Sequence, residues 1–267
     1  ICAFYGAYPQ FILTSATIGN SQELAENLTE TSVQVIDQDG SQQGEKQFII
    51  FNPPLVDQQL GIRKSALNTA VNFSKELIAN TIQTLIFART RRTVEMTLSY
   101  LRDSLPIHLR DKVRGYRSGY LKDERREIER DFREARLLAV ASTSALELGI
   151  DIGDLESVIL LGYPGSIATT KQRAGRAGRK NQSAVAILIP TPDALDQYLS
   201  NHPGYLTGQN PENALIDPNN LSILTQHVLC ASFELPFSAD EVIGKVDPYL
   251  LRSILELFSQ QAVLNQQ

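Results

Sequence analysis

An arginine- and glycine-rich segment carries the strongest chemical signal in the chain. It reads Gln172-Arg173-Ala174-Gly175-Arg176-Ala177-Gly178-Arg179. Positions 171–180 hold five basic residues and no acidic one. An arginine fork matches the planar, multi-oxygen face of a phosphate, and glycine lets the backbone turn tightly or approach a ligand closely. The segment therefore predicts a polyphosphate site. On composition alone, a solvated basic end of a helix is the alternative.

A second segment, residues 141–153, places hydroxyl, acidic and glycine residues directly after an apolar run. Ser142 or Thr143 in this position can cap a helix, and Gly149 can end it. That structural interpretation competes with a functional one. The segment precedes the arginine motif by about twenty residues with an apolar strand pattern between them, and this spacing favours the functional interpretation.

Three shorter segments place polar side chains at the ends of apolar runs. The residues concerned are Ser15 and Thr17, Arg89 and Thr90, and Arg117 and Ser118. Arginine side chains and helix N-termini are common ligands of nucleic-acid phosphates. For Arg89 and Thr90, an ordinary strand, loop and helix with solvated arginines is an equally good interpretation.

Short apolar runs alternate with helical patterns along the centre of the chain. The predicted strands are Phe48–Phe51, Thr84–Ala88, Val113–Tyr116, Leu137–Ala141, Val158–Leu161 and Ala184–Ile189. This alternation predicts βαβ units, hence an α/β fold with a mostly parallel sheet and helices on both faces. Functional residues then belong at the carboxyl ends of the strands.

The flanks of this region differ from it. Residues 10–18 and Val33–Ile36 are further strand candidates, and a helix is expected to begin at Asn20 or Ser21. After Pro190, breakers precede two helical patterns, Leu221–Phe233 and Pro248–Gln261, which predict a small helical C-terminal extension.

Composition and charge limit the kinds of protein that this chain can be. The chain has 267 residues, 42% of them hydrophobic, and a net charge of −5, which argues against a protein that coats nucleic acid by charge alone. Yet residues 84–136 and 171–180 each carry a net +5, so phosphate contacts are expected locally. Two distant cysteines and the absence of a signal peptide or membrane span predict a cytoplasmic protein, nucleoid-associated if bacterial. No Cys/His spacing predicts a metal site.

In this order the segments resemble the motifs of superfamily 2 DEAD/DEAH-box helicases. Ser15-Ala16-Thr17 resembles the S-A-T motif that ends the first RecA-like lobe. Residues 84–92, 141–153 and 172–179 resemble motifs IV, V and VI of the second, C-terminal lobe. The resemblance covers roughly residues 10–240. It is closest to the branch that includes mitomycin repair factor A and the fungal RecQ4-like DNA helicases, through Gly162–Ala168 and the segments 210–220 and 230–236.

The resemblance implies a role for each motif residue. Arg179 is the finger on the γ-phosphate, Arg176 its partner, and Gln172 the bridge to the lobe interface. Asp151 binds the ribose or the motif VI arginines, Gly149 provides a turn, and Glu147 couples the nucleotide and nucleic-acid sites. The implied nucleic-acid contacts are Thr143, Arg89, Thr90, Arg117 and Ser118, and the implied coupling residues are Ser15 and Thr17. Lys171 and Arg173 are not fixed by the motif and are expected to face solvent or nucleic acid.

Two parts of a helicase motor are missing from the sequence. It has no G-x-x-x-x-G-K-[ST] phosphate loop and no D-E-x-[DH] segment after a strand. ATP and Mg²⁺ are therefore expected to bind mainly to a preceding RecA-like lobe, and this chain alone should not hydrolyse ATP. The expected organisation is the end of the first lobe and a linker at 1–47, the second RecA-like lobe at 48–203, and a helical extension at 204–267, for which a winged helix is one option.

The expected partners are single-stranded or partly duplex DNA and the protein's own N-terminal lobe, with no membrane. An RNA helicase lobe and a RecA-like nucleic-acid-binding scaffold without motor action are the alternatives. Arg176 and Arg179 disfavour a scaffold, which needs no finger pair. A dinucleotide-binding oxidoreductase is a poor fit because no G-x-G-x-x-G opens a helix after the first strand.

Overall fold

The computed structural model describes residues 4–15, 17–38, 40, 44–147, 155–178, 183–217, 220–238, 241–244, 246–261 and 263–264. The chain divides into two compact units. The first, which we call the helical unit, comprises residues 1–15, 20–36 and 213–267. The second, the sheet unit, comprises residues 16–19 and 37–212.

The secondary structure follows the alternation expected of βαβ units. The strands are β1 Lys46–Ile50, β2 Leu55–Asp57, β3 Ile62–Arg63, β4 Thr84–Ala88, β5 Val113–Tyr116, β6 Ala139–Ser142, β7 Ser157–Leu161 and β8 Ala184–Ile189. The helices are α1 Ser21–Thr29, α2 Ala66–Ala79, α3 Arg91–Ser104, α4 Ile107–Arg110, α5 Lys122–Arg133, α6 Ile167–Ala174, α7 Ala194–Asn201, α8 Gly204–Gly208, α9 Leu221–Glu234 and α10 Pro248–Gln260. A short 3-10 turn spans Ser144–Leu146.

Six strands form one parallel sheet in the order β1-β8-β7-β4-β6-β5, which confirms the predicted α/β, RecA-like fold. The pair β2 and β3 makes a separate antiparallel ribbon. Because all six strands of the sheet run the same way, their carboxyl ends lie along a single edge.

Helices cover both faces of the sheet because successive side chains of a strand point to opposite sides. On β4, Leu85 and Phe87 belong to one apolar cluster, whereas Ile86 and Ala88 belong to the other. The first cluster includes side chains of α5 to α8, and the second includes side chains of α2 and α3. Strands buried on both faces need apolar residues at every position, which is why they appear as unbroken apolar runs in the sequence.

Predicted and observed strands agree best within the six-stranded sheet. The bounds of β4, β5 and β8 are those predicted, and β6 begins and ends slightly later. The strand predictions at 10–18 and Val33–Ile36 were wrong, since the described residues there are irregular. Side chains such as Ile12 and Ile36 are 83% and 89% exposed, so neither segment has a buried face to hold it in a sheet.

The helical unit has a small core of its own. Its buried apolar residues are Leu224, Val228, Val246, Leu251, Ile254 and Phe258. Helix α10 begins as its sequence predicts, because the Asp247 carboxylate accepts the Tyr249 N–H at 2.9 Å and Pro248 occupies the first turn. Within the described part of the chain, no helix has the length and apolar character needed to cross a membrane.

Candidate nucleotide and nucleic-acid site

Three neighbouring strands deliver the predicted nucleic-acid residues to one edge. Strands β5, β6 and β4 end level with one another, since Tyr116 and Phe87 both pair with Ser142. The residues that follow these ends are Arg117 and Ser118, Thr143, and Arg89 and Thr90. Sequence positions far apart are thereby brought into one row, as expected for the carboxyl edge of a parallel sheet.

Thr90 and Arg89 follow β4 and begin helix α3. The Thr90 hydroxyl accepts the Thr93 N–H at 3.1 Å and lies 2.8 Å from the Thr93 hydroxyl, so Thr90 caps α3. The Arg89 guanidinium is half exposed and lies 3.6 Å from the Asp193 carboxylate. The structural alternative for this segment, an ordinary strand, loop and helix, thus explains Thr90 but leaves Arg89 directed to the surface.

Gly162, at the end of β7, gives the Arg89 side chain its room. Its φ is +80°, and a Cβ atom there would lie 3.1 Å from the Arg89 Cδ and 3.3 Å from an Asp196 oxygen. Asp196 is buried and accepts hydrogen bonds from the Tyr163 and Thr191 N–H groups, which ties the ends of β7 and β8 together. A glycine is therefore needed at this point for both backbone and steric reasons.

Arg117 is held from two sides. Its guanidinium lies 3.3 Å from the Glu95 carboxylate of α3 and 4.9 Å from the ring centre of Tyr120. Ion pairs this exposed contribute at most about 1 kcal/mol. A phosphate could consequently replace Glu95 as the partner of Arg117, or Asp193 as the partner of Arg89. Ser118 is exposed beside Arg117.

A buried tyrosine fixes the strand that ends at Arg117. Tyr116 is 1% exposed, and its hydroxyl donates a hydrogen bond to Glu129 of α5. Burial, followed by the Glu129 hydrogen bond and charge, raises the pKa of Tyr116 to about 12. The phenol therefore stays protonated at neutral pH, and this bond joins β5 to α5.

Thr143 does not act as the helix cap that the structural alternative required. It precedes the 3-10 turn, but its side chain makes no capping hydrogen bond among the described residues. The neighbouring Ser142 hydroxyl is buried and has no hydrogen-bond partner within the described ranges. Among the residues that the structure describes, the polar groups at the end of β6 thus serve no local capping role.

Glu147 joins the motif V segment to the arginines of motif VI. Its carbonyl oxygen accepts hydrogen bonds from Arg176 Nε at 3.0 Å and Arg176 Nη2 at 2.6 Å. Its carboxylate lies 3.0 Å from Arg173 Nε. One acidic residue thereby binds two arginines, through the backbone and through the side chain.

The expectation that Arg173 faces solvent or nucleic acid was wrong. Arg173 is 7% exposed, and its guanidinium lies 5.1 Å from the ring centre of Phe87. Burial of the charge is possible because the Glu147 carboxylate and the aromatic face both stabilise it. Gln172, the preceding residue of α6, is partly exposed.

Helix α6, which carries Gln172 and Arg173, is capped at its start by two side chains. The Ser166 hydroxyl accepts the Thr169 N–H at 3.0 Å, and the Glu212 carboxylate accepts the N–H groups of Ile167 at 2.6 Å and Ala168 at 2.9 Å. Partial burial alone would raise the pKa of Glu212, but the Ala168 and Ile167 donors and the charge of Lys171 outweigh it and lower that pKa below its usual value. Glu212 is accordingly ionised at neutral pH.

After α6 the chain turns back towards the sheet. Gly178 has a φ of +79°, its N–H donates to the Leu155 carbonyl at 2.9 Å, and a Cβ atom there would lie 3.1 Å from Ala184 Cβ. The second glycine of the arginine motif is thus needed for the turn and for the close approach to Ala184.

Comparison with known proteins agrees with this geometry. The family described as helicase conserved C-terminal domain matches residues 68–181. The chain is 46% identical over 266 residues to the uncharacterized ATP-dependent helicase YprA of Bacillus subtilis, covering 99% of this chain and 35% of that protein. It is 35% identical over 246 residues to the ATP-dependent helicase HRQ1 of Saccharomyces cerevisiae, covering 89% and 23% respectively.

A crystal structure of the DUF1998 helicase MrfA bound to DNA superposes with a TM-score of 0.90 at 45% identity, covering 100% of this chain and 35% of that one. The chain carries the C-terminal lobe of a superfamily 2 helicase. It lies near the branch of MrfA and Hrq1, as the sequence motifs indicated. It spans about a third or less of the length of these relatives.

Several motif residues of this helicase lobe lie outside the described residues: Ala16, Gly149, Asp151 and Arg179. Ser15 is exposed and belongs to the helical unit, whereas Thr17 is partly exposed and belongs to the sheet unit. The roles assigned to Ser15, Thr17, Gly149, Asp151 and Arg179 stay predictions, as do the phosphate and nucleic-acid contacts of the residues located above.

Two residues that shape the candidate site were not predicted from the sequence. Asp196 and Glu212 both hold backbone N–H groups near motif residues, yet neither lies in a motif. Glu212 falls in a breaker-rich segment with no periodicity, so only the fold reveals its target. In the described part of the chain, no group of three or more His, Cys, Asp and Glu residues could hold a metal ion.

Proposed function

We propose that this chain is the C-terminal motor lobe of an ATP-dependent DNA helicase or translocase. The observation that carries the proposal is the binding of Arg176 to the Glu147 carbonyl, at the end of the turn that Thr143 begins. A predicted nucleotide residue and a predicted nucleic-acid residue are thus separated by one short, hydrogen-bonded segment. Movement of either one can then alter the position of the other.

Within this proposal, Arg176 and Arg179 complete a triphosphate site whose remaining parts belong to the preceding RecA-like lobe. The partly buried Arg176 fits such a site, since the Glu147 carbonyl holds its guanidinium in place through Nε and Nη2, and an arginine fork suits phosphate oxygens. When bound, ATP supplies the γ-phosphoryl group whose transfer to water drives the motor. Arg179 stabilises the charge that develops there, Gln172 bridges to the lobe interface, and Asp151 binds the ribose or the arginines.

Mg²⁺ and most of ATP are assigned to the preceding lobe. The relatives YprA and HRQ1 are named ATP-dependent helicases, and a structure of MrfA contains DNA and AMPPNP. The sequence here offers neither a phosphate loop nor a D-E-x-[DH] segment. We infer that residues 1–47 end the first lobe and lead into the second at 48–203, that 204–267 form a helical extension, and that the chain alone does not hydrolyse ATP.

DNA is the nucleic acid along which the proposed motor moves. The carboxyl edge of the sheet presents Arg117, Thr143 and Arg89 in a row, and the similar MrfA chain was crystallised with DNA. Phosphate contacts of this kind do not distinguish DNA from RNA, so an RNA helicase lobe is the alternative that a direct comparison of substrates resolves.

The test uses the full-length protein. Its ATPase rate and strand separation should be stimulated by DNA more than by RNA. Arg179→Ala should abolish ATPase turnover while leaving ATP affinity within about threefold, because a finger acts on the transition state rather than on bound ATP.

Arg136→Ala is the matched control for this finger variant. Arg136 is a half-exposed arginine that pairs with Asp131 and lies before β6, at the opposite end of that strand from Thr143. The control should keep wild-type turnover. Wild-type turnover in Arg179→Ala would remove the finger assignment, and absence of any nucleic-acid-stimulated ATPase in the parent protein would remove the motor proposal.

A further inference from the structure

Glu212 occupies a junction between three parts of the sheet unit. Its carboxylate accepts the first two N–H groups of α6, at 2.6 Å from Ile167 and 2.9 Å from Ala168. Its own carbonyl accepts the Gly19 N–H at 3.1 Å. One residue therefore connects the motif VI helix with the segment that follows the S-A-T motif.

A second bond attaches the segment that leads to Glu212 to α6, one turn further along the helix. Lys171 Nζ donates to the Gln209 carbonyl at 3.2 Å, next to Gln172. The stretch 209–212 thus runs along the start of α6 and is attached to it at both ends. At the other end of α6, Arg173 and Arg176 are bound to Glu147.

Gly19 and Glu212 are also the residues at which the chain leaves the sheet unit. Residues 20–36 and 213–267 belong to the helical unit. Within that unit, the Asn20 side chain donates to the Ala214 carbonyl at 3.1 Å and accepts the Ala214 N–H at 2.9 Å. The two connecting segments are therefore hydrogen-bonded to each other within each unit, through Gly19 and Glu212 in the sheet unit and through Asn20 and Ala214 in the helical unit.

We propose that Glu212 is a positioning residue for the arginines of motif VI: it fixes the start of α6 to the segments 17–19 and 209–212, so that displacement of those segments moves Gln172 and the arginines behind it. This proposal rests on the proposed motor function, because it concerns how the phosphate-facing arginines are placed. As an anion, Glu212 is unsuited to bind phosphate itself, so its proposed role is to place the arginines. An ionised carboxylate suits the task, since it accepts two helix N–H groups at once and complements the positive end of the helix dipole.

The test compares Glu212→Ala with wild type in the full-length protein. Loss of the cap should lower kcat of the DNA-stimulated ATPase about tenfold, because small displacements of catalytic groups have large effects on rate. The KM for ATP and the Kd for single-stranded DNA should change less than about threefold, since neither depends on the transition-state position of the arginines. Glu212→Gln, which keeps one acceptor oxygen, should restore part of the rate.

Ser65→Ala is the matched control for loss of a helix cap. The Ser65 hydroxyl accepts the Asn68 N–H at the start of α2, in the same unit but outside the site. It should lower the melting temperature as Glu212→Ala does, while kcat stays at the wild-type value. A drop in kcat that merely followed the melting temperature in both variants would overturn the positioning role.

A double-mutant cycle separates the possible routes of action. If Glu212 acts through the motif VI arginines, Glu212→Ala should change kcat less than about twofold in an Arg176→Lys background. An equal loss in both backgrounds, or a wild-type rate in Glu212→Ala, would refute the proposal while the motor function stands. A parent protein without DNA-stimulated ATPase would instead refute the motor function itself.

Discussion

At the scale of single residues, the most informative side chain is one that the motif left unassigned. Arg173 was expected at the surface, but it is buried between the Glu147 carboxylate and the ring of Phe87. The sequence could not reveal this pairing, because Glu147 and Arg173 meet only after β6 and α6 are in place. Burial gives a position that the motif does not fix a structural role.

This pairing predicts the stability of variants. Arg173→Ala leaves the Glu147 carboxylate nearly buried and without its cation, so the free energy of unfolding should fall by about 3 kcal/mol. Equilibrium denaturation of the chain measures the loss. Arg136→Ala, which removes a half-exposed arginine from ion pairs with Asp131 and Glu134, should lower the free energy of unfolding much less, because solvent screens these pairs. Equal losses in the two variants would contradict the buried-pair interpretation.

At the scale of elements, sequence reasoning succeeded where burial is complete and failed where it is not. Strands β4 and β8 were predicted with their observed bounds because continuous apolar runs of that length suit a doubly covered sheet. The segment Val33–Ile36 is also rich in β-branched residues, but it pairs with no strand among the described residues. Apolar character alone therefore does not specify a strand, since its hydrogen bonds must also find a neighbour.

The same limit applies to the candidate site. The row formed by Arg117, Thr143 and Arg89 could be predicted, because carboxyl ends of parallel strands share an edge. The capping of α6 by Glu212 could not, since the sequence separation between the two is long and no periodic pattern spans it. Capping preferences of neighbouring residues predict where a helix begins. Tertiary contacts decide which distant carboxylate accepts its first N–H groups.

The hydrogen bond from Tyr116 of β5 to Glu129 of α5 predicts that the stability of the fold depends on pH in the alkaline range. The pKa of Tyr116 is raised from 10.0 to about 12, so the unfolded chain loses this proton near pH 10 while the folded chain keeps it until about pH 12. The corresponding stabilisation is complete below pH 10 and is lost as pH rises through about 12.

Tyr116→Phe removes the titrating group and should therefore reduce the alkaline loss of stability. Denaturation midpoints measured from neutral to strongly alkaline pH would show it. Tyr198→Phe is the control, because Tyr198 is half exposed and stacks on His202 instead of lying in the core. An unchanged pH profile in Tyr116→Phe would indicate that Tyr116 ionises normally.

At the scale of the whole molecule, each unit has its own apolar core. The two clusters of the sheet unit draw on residues between Ala66 and Leu206, and the cluster of the helical unit on residues between Leu224 and Phe258. Cores that share no residue can in principle form separately. This independence matters because the proposed motor depends on the sheet unit for its arginines.

Truncation after Glu212 tests that independence. The shortened chain keeps every strand and both clusters of the sheet unit, so it should retain a cooperative thermal transition and a circular dichroism signal of mixed helix and strand. The 267-residue chain is the control. A broad, non-cooperative transition in the truncated chain would mean that the two cores form only together.

The helical unit is drawn from segments on either side of the strands in the sequence, residues 1–15 and 20–36 before them and 213–267 after them. Because a ribosome adds residues from the amino-terminal side, it releases the first portion of that unit long before the second exists. Throughout synthesis of the intervening strands, the early portion therefore lacks the later segment of its own unit.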